Sequence, residues 1–150
     1  MNILCINHEY PPIGGGGATA CKNICEQYVK KGHRVTVVTA QFSEDLKKEG
    51  AGDLRIFRLK CKRSKKDSSS FIEMLSFLFA AFRFTKNLAK KEKFDVAHIF
   101  FGIPSGPLGL YLKKKYNVPY VVRLGGGDVP GTQKRFKVIY TLLSPLLKKI

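Results

Sequence analysis

Four consecutive glycines, Gly14 to Gly17, stand directly before a segment with helical periodicity. Glycine lets the backbone approach a ligand closely, and a helix start offers free N–H groups at the positive end of the helix dipole. This combination favours an anion, typically a phosphate. The alternative is a flexible turn without a ligand.

Known nucleotide-binding motifs fit this glycine run only in part. Gly15, Gly17 and Ala20 satisfy G-x-G-x-x-A, a weak signal on its own. A nicotinamide dinucleotide site is disfavoured, because the glycines begin several residues after the first strand and residues 38–41 include no acid for the ribose. A P-loop is excluded, because no Lys followed by Ser or Thr closes the run.

Further binding candidates lie in or after strand-like runs. Arg123 ends an apolar run, where a guanidinium can grip a phosphate or form a structural ion pair. His98 is either a buried core histidine or a ligand contact, and Asp128 either caps a turn or binds an acceptor hydroxyl. Tyr10 lies on the loop that leads into the glycines, so a ligand contact is open there too.

Runs of β-branched residues alternate with helical periodicities along the chain. The predicted strands are residues 2–7, 34–39, 54–59, 95–100 and 119–124. The first predicted helix follows the glycine run and stops at Gly32, and the other three span residues 71–91, 107–116 and 132–149. This alternation predicts a doubly wound, mostly parallel α/β sheet with helices on both faces. In such sheets ligands bind beyond the carboxyl ends of the strands, which here are the loops at 8–17, 101–106 and 125–131.

Composition indicates one soluble globular domain over residues 1–150. The 150 residues are 44% hydrophobic, with 27 Lys plus Arg against 11 Asp plus Glu and a net charge of +16. No run is long and apolar enough to span a bilayer, and no secretory signal is seen, so we expect a cytoplasmic protein. Four cysteines without a C-x-x-C pair predict free thiols and no metal site.

Two neighbouring segments carry the unusual charge and aromatic content. Residues 60–70 are basic and serine-rich, a composition that predicts a mobile loop with little burial. The helix that follows is rich in phenylalanine, which favours packing on the sheet but leaves open a membrane-interface role. The positive charge suits anionic lipid or phosphate-bearing substrates; no recognised nucleic-acid motif is present.

Four stretches together resemble a known family. They read NILCINHEYPPIGGGG, GHRVTVVT, FDVAHIFFGIPSGPLG and VPYVVRLGGGDVPG in chain order. The chain from residue 1 to about residue 131 is similar to the N-terminal half of the family 4 glycosyltransferases, retaining enzymes of the glycosyltransferase-B fold. The resemblance implies that this acceptor-side, Rossmann-like domain is normally completed by a C-terminal domain that holds a nucleotide-sugar donor, and that domain is absent here.

The resemblance also implies roles for individual residues. Gly15, Gly16 and Gly17 would lie against the donor diphosphate, with the nucleotide-sugar as substrate and no cofactor or obligatory metal. Gly126 and Asp128, from the Gly-x-Asp after the fifth predicted strand, would contact substrate. Family members commonly have a histidine where this chain has Gly125, so no catalytic residue is assigned.

The implied activity is transfer of a sugar to a glycan or glycolipid acceptor with retention, as in polysaccharide biosynthesis at the inner membrane face. The 150-residue chain alone is not expected to turn over, because the family's catalytic groups come mainly from the other half. An open alternative is a non-catalytic phosphate- or nucleotide-binding module, or one subunit of a split enzyme.

Overall fold

A computed structural model of the chain describes residues 1–42 and 48–125. The strands are β1 (Asn2–Ile6), β2 (Arg34–Ala40), β3 (Lys48–Glu49), β4 (Leu54–Leu59), β5 (Val96–Phe100) and β6 (Tyr120–Arg123), and the helices are α1 (Gly16–Lys30), α2 (Phe71–Lys91) and α3 (Gly106–Tyr116). These bounds confirm the predicted strands and helices up to residue 124 within one or two residues at most ends. The predicted helix at 132–149 lies outside the described residues.

The six strands form one sheet in the order β3-β4-β2-β1-β5-β6. Every neighbouring pair is parallel except β3 and β4, which are antiparallel. The short strand β3 was not predicted from the sequence. The chain builds outward from β1 to β2 and β4, then returns to add β5 and β6 on the other side. The strand order therefore reverses between β1 and β5, where doubly wound sheets place ligands.

Alternate residues of the central strands supply two hydrophobic layers. Leu4 and Ile6 face α2 and α3 in one layer, where Phe77 of α2 is 1% exposed. Ile3 and Cys5 face α1 in the other layer. The doubly wound architecture predicted from the sequence is thus confirmed, with both faces of the sheet covered.

The helix α2 has a well-formed start. The Ser70 side chain accepts a hydrogen bond from the N–H of Glu73, whose carboxylate accepts one from the N–H of Ser70. This capping box satisfies two first-turn donors, and its hydrogen bonds lower the pKa of Glu73 to about 2.

The four cysteines are free, as predicted, with Cys5, Cys21 and Cys25 buried.

Within residues 1–42 and 48–125, no helix is long and apolar enough to cross a membrane.

A buried histidine follows β1 closely in the chain. The ring of His8 is close to the rings of Phe77 and Phe101, with centroid distances of 6.2 and 5.1 Å. Burial, with a smaller contribution from the positive charge of Arg63, lowers the pKa of His8 from 6.5 to about 3. The imidazole is therefore neutral in the folded protein at physiological pH.

We predict opposite outcomes for two phenylalanines of α2. Phe77→Ala removes a core side chain and should cost about 3–5 kcal/mol, whereas Phe79, which is 75% exposed, should tolerate alanine within about 0.5 kcal/mol. Urea unfolding of both variants measures the difference. Equal losses would contradict the orientation of α2.

We also predict that His8 makes stability depend on pH. Between the folded pKa of about 3 and the unfolded value near 6.5, only the unfolded chain binds the proton, so stability falls as pH falls. From about pH 7 to pH 5.5 this amounts to about 1 kcal/mol. Denaturant titrations at both pH values should show a smaller decline for His8→Gln than for wild type; identical declines would refute the assignment.

Candidate functional site

The glycine run is at the carboxyl end of β1, where it starts α1. Gly15 is the N-cap residue and Gly16 the first helical residue, and the first turn contains no acidic side chain. The N–H groups of the first turn have no acceptor within a helix. A Cβ placed on Gly15 or Gly16 would have no neighbouring atom within 4 Å. The backbone there is open to a ligand.

The loop that carries these glycines is fixed from several sides. Asn7 is fully buried and donates from Nδ2 to the carbonyl oxygen of Gly17 (3.5 Å). Arg58 of β4 donates to the carbonyl oxygen of Pro11 (2.6 Å), and the N–H of Gly14 donates to that of Lys66 (2.6 Å). The Gly14 N–H is therefore used by the protein itself, while the next three glycines face open space or an aromatic ring.

A charged cluster lies at the base of the same loop. The Oε1 atom of Glu9 is 3.5 Å from a guanidinium nitrogen of Arg63 and 3.6 Å from Nε2 of His8. A Cβ on Gly14 would lie 2.7 Å from Oε2 of Glu9, and Gly14 has a φ of +89°. Position 14 therefore has to be glycine for both conformational and steric reasons. Sequence reasoning did not find this cluster, because Arg63 lies 54 residues from Glu9.

Phe101 follows β5 and lies across the mouth of the glycine loop. A Cβ on Gly17 would be 2.5 Å from its ring, and a Cβ on Gly125 would be 2.8 Å from it. Its φ of 70° is left-handed, which costs a side-chain-bearing residue about 1–2 kcal/mol. Sequence reasoning missed Phe101, since neither its type nor its spacing signals this conformation.

Arg123 ends β6 beside the same ring. Its Nη1 atom would be 3.5 Å from a Cβ on Gly125, and its positive charge adds to burial in lowering the pKa of His98. Within residues 1–42 and 48–125, no carboxylate forms an ion pair with Arg123. Both readings of Arg123, an anion-binding guanidinium and a structural ion pair, therefore stay predictions.

The other predicted site residues divide into two groups. His98 is buried, hydrogen-bonded through Nδ1 to the hydroxyl of Tyr28 (3.1 Å) and stacked on Phe100, and burial lowers its pKa. Tyr10 is buried against α1, and burial raises its pKa. Both act as packing residues here, and their substrate roles stay predictions. Gly126 and Asp128 lie outside the described residues.

The basic segment, residues 60–70, is mostly exposed, as predicted, but one of its side chains is buried. The side chain of Arg63 is only 3% exposed and donates to the carbonyl oxygens of Lys65 (2.8 Å) and Lys66 (3.2 Å) and to the hydroxyl of Ser69. Glu73 accepts from the N–H (2.6 Å) and hydroxyl (2.7 Å) of Ser64. One arginine thus organises a segment whose composition is typical of solvated loops.

A cavity of about 460 Å³ opens at the opposite edge of the sheet, at the amino ends of the strands. Its walls include Arg34, Asp53 and the ion pair of Arg55 with Glu92, whose nitrogen and oxygen are 2.5 Å apart. These charges largely compensate one another. We place the candidate site at the carboxyl edge instead, because the first-turn N–H groups of α1 and the guanidinium of Arg123 lie there, at the reversal of strand order.

The described part of the carboxyl edge is suited to holding an anion. It offers first-turn N–H groups and Arg123, while His8 is neutral and the nearby carboxylate of Glu9 is paired with Arg63. Within that part of the chain, no three His, Cys, Asp or Glu side chains are grouped closely enough to hold a metal ion.

Two solved structures that share this fold are a sucrose-phosphate synthase and a starch synthase. Sucrose-phosphate synthase from Thermosynechococcus elongatus superposes with a TM-score of 0.70 at 18% identity, over 98% of this chain and 40% of that one. The catalytic domain of starch synthase IV from Arabidopsis thaliana, bound to ADP and acarbose, gives 0.56 at 16% identity, over 81% and 33%. The likeness agrees with the N-terminal half of a glycosyltransferase-B fold.

Sequence comparison points in the same direction. An uncharacterized glycosyltransferase of Methanocaldococcus jannaschii is 33% identical over 54 residues, which are 36% of this chain and 15% of that protein. The chain thus spans well under half the length of these relatives. The family model of the glycosyl transferase 4-like domain matches residues 15–148, and the chain belongs to that family.

Proposed function

We propose that this chain is the acceptor-side half of a retaining glycosyltransferase that transfers a sugar from a nucleotide-sugar to a glycan or glycolipid. The observation that carries the proposal is the open glycine run at the start of α1, in a chain of the glycosyl transferase 4-like family. Its N–H groups would hold the donor diphosphate, and they stabilise negative charge that develops on the leaving phosphate.

The chemistry assigned to the described residues is binding and orientation. The helix start and Arg123 supply positive potential, which favours departure of a diphosphate leaving group without a metal ion. The ring of Phe101 packs against both Gly17 and Gly125, so the start of α1 and the residues after β6 would be held in one arrangement before substrate arrives. The acid and base for the sugar would come from the completing domain.

The activity is tested with the native protein and a panel of nucleotide-sugars. Release of nucleoside diphosphate on addition of glycan or lipid-linked acceptors would identify the donor, and proton NMR of the product would report its anomeric configuration. Retained configuration supports the proposal. Inversion, or nucleotide binding without transfer to any acceptor class, would contradict it.

We predict that Gly16→Val separates binding from stability. A helical Cβ leans toward the helix N-terminus, so valine would project over the N–H groups and raise the KM for the donor about tenfold or more. Since that Cβ meets no atom and valine has a better helix propensity than glycine, thermal stability should hold or rise. The matched control is Gln27→Val, on an exposed position of the same helix. An unchanged KM would mean that the glycine run is a structural turn and does not bind the donor.

We further propose that the protein works at an anionic membrane surface, where a lipid-linked acceptor would lie. One face of α2 exposes Ile72 (66%), Leu75 and Phe79 (75%), at helical spacing. Arg83 and Lys86 continue the same face toward the end of the helix and are exposed. Apolar residues next to lysine and arginine, in a chain with a charge of +16, suit a negatively charged lipid interface.

We predict that Phe79→Ala weakens binding to phosphatidylglycerol vesicles roughly tenfold, because a large exposed aromatic side chain no longer enters the interface. Vesicle flotation measures the binding, with phosphatidylcholine vesicles and high salt as conditions in which wild-type binding should decline. The control is Lys31→Ala at the C-cap of α1, which removes a charge outside the α2 face. Binding that is indifferent to salt and to Phe79 would overturn the membrane proposal.

A further inference from the structure

Arg63 is a buried cation whose role the proposed reaction does not explain. Its side chain is 3% exposed, and it lies between the basic segment and the loop that carries the glycines. On one side it binds backbone carbonyls of Lys65 and Lys66, and on the other it pairs with the carboxylate of Glu9. Burying a guanidinium costs free energy unless a carboxylate and other acceptors pair with it. The surroundings of Arg63 must therefore favour a positive charge.

Glu9 is the group that favours a positive charge at this position. Its side chain is 14% exposed, and its Oε2 atom lies within 2.7 Å of where a Cβ on Gly14 would be. A carboxylate therefore lies against Gly14, the residue that directly precedes the N-cap of the helix. Left uncompensated in a poorly solvated place, it would repel an incoming phosphate.

The neighbouring histidine does not supply the compensating charge. His8 is 3.6 Å from Glu9, but it is buried against Phe77 and Phe101 and is neutral at physiological pH. Its Nδ1 atom is buried and has no hydrogen-bond partner within the described residues. Arg63 is thus the cation that faces Glu9 at salt-bridge distance in this part of the chain.

Arg63 also ties the basic segment to the glycine loop. The carbonyl oxygen of Lys66, which accepts from Arg63, also accepts from the N–H of Gly14. This shared acceptor couples the arginine to the backbone just ahead of Gly15. The exposed side chains of Lys65 and Lys66 are thereby held on the same side of the molecule as the candidate site.

We propose that Arg63 is a positioning residue for phosphate binding: it neutralises Glu9 and fastens the basic segment to the glycine loop, so that the helix start meets a phosphate-bearing ligand without an opposing carboxylate. This inference rests on the proposed function, since it assumes that the glycine run binds the donor diphosphate. It adds that a residue outside the glycine loop sets the affinity of that site.

The test is a double-mutant cycle on the native protein, with inorganic pyrophosphate as the probe and isothermal titration calorimetry as the measurement. Arg63→Met should weaken binding about tenfold, because Glu9 is left unpaired. Glu9→Gln should bind about threefold more tightly, since the charge of Arg63 is then uncompensated. The double variant should return to within about threefold of wild type.

Each outcome of the double-mutant cycle either supports or overturns the role proposed for Arg63. Equal binding by wild type and Arg63→Met overturns this inference alone, and so does a double variant as weak as Arg63→Met. If wild type binds no pyrophosphate, or if Gly16→Val leaves its affinity unchanged, the diphosphate site itself fails and the inference fails with it.

Loss of folding is separated from loss of charge by a conservative variant. Thermal melts are recorded for every protein, and Arg63→Lys is titrated alongside Arg63→Met. Lysine keeps a positive charge beside Glu9 but lacks the planar fork that contacts Glu9 and three hydrogen-bond acceptors at once. Binding within about threefold of wild type supports charge compensation, whereas tenfold weaker binding by a folded Arg63→Lys protein overturns it.

Discussion

The ion pair of Glu9 with Arg63 is the interaction on which the arrangement of the carboxyl edge depends. Glu9 occupies the space that a side chain at position 14 would need, so the turn into α1 requires glycine there. Arg63 compensates the carboxylate and holds the carbonyl group that receives the Gly14 N–H. A buried charge pair is a weak source of net stability, but removing either partner leaves an isolated buried charge. Its value here is therefore geometric: it defines one position for the loop.

The fold explains why this loop meets Phe101 and Arg123. The sheet reverses its order between β1 and β5, so the segments that follow these strands and β6 emerge side by side. The ring of Phe101 occupies the space that a Cβ on Gly17 or Gly125 would need. This packing holds the backbone of Phe101 in its left-handed conformation. Three loops far apart in the chain thus form one rigid surface around the start of α1.

Local patterns in the sequence predicted the sheet, because β-branched runs such as residues 34–39 and the glycine run before α1 are readable without distant contacts. What they could not predict depends on contacts across the fold. Arg63 lies in a stretch whose composition indicates solvation, and only its distant partner Glu9 explains its burial. Phe101 and the two-residue β3 gave no local signal either. Likewise, the phenylalanines of α2 predicted packing on the sheet, yet helical periodicity also turns Ile72 and Phe79 outward.

The electrostatics of the described edge favour binding over proton transfer. A general base needs a group that titrates near the working pH, and His8 is held neutral by burial while Glu9 is committed to Arg63. What remains is a set of N–H donors and a guanidinium, all of which stabilise negative charge without changing protonation state. In a retaining transfer the leaving diphosphate needs that kind of stabilisation, while the sugar needs groups placed opposite it. The described edge, where neither His8 nor Glu9 is available as a base, therefore suits the proposed role, in which a completing domain would lie across a cleft with the diphosphate between them.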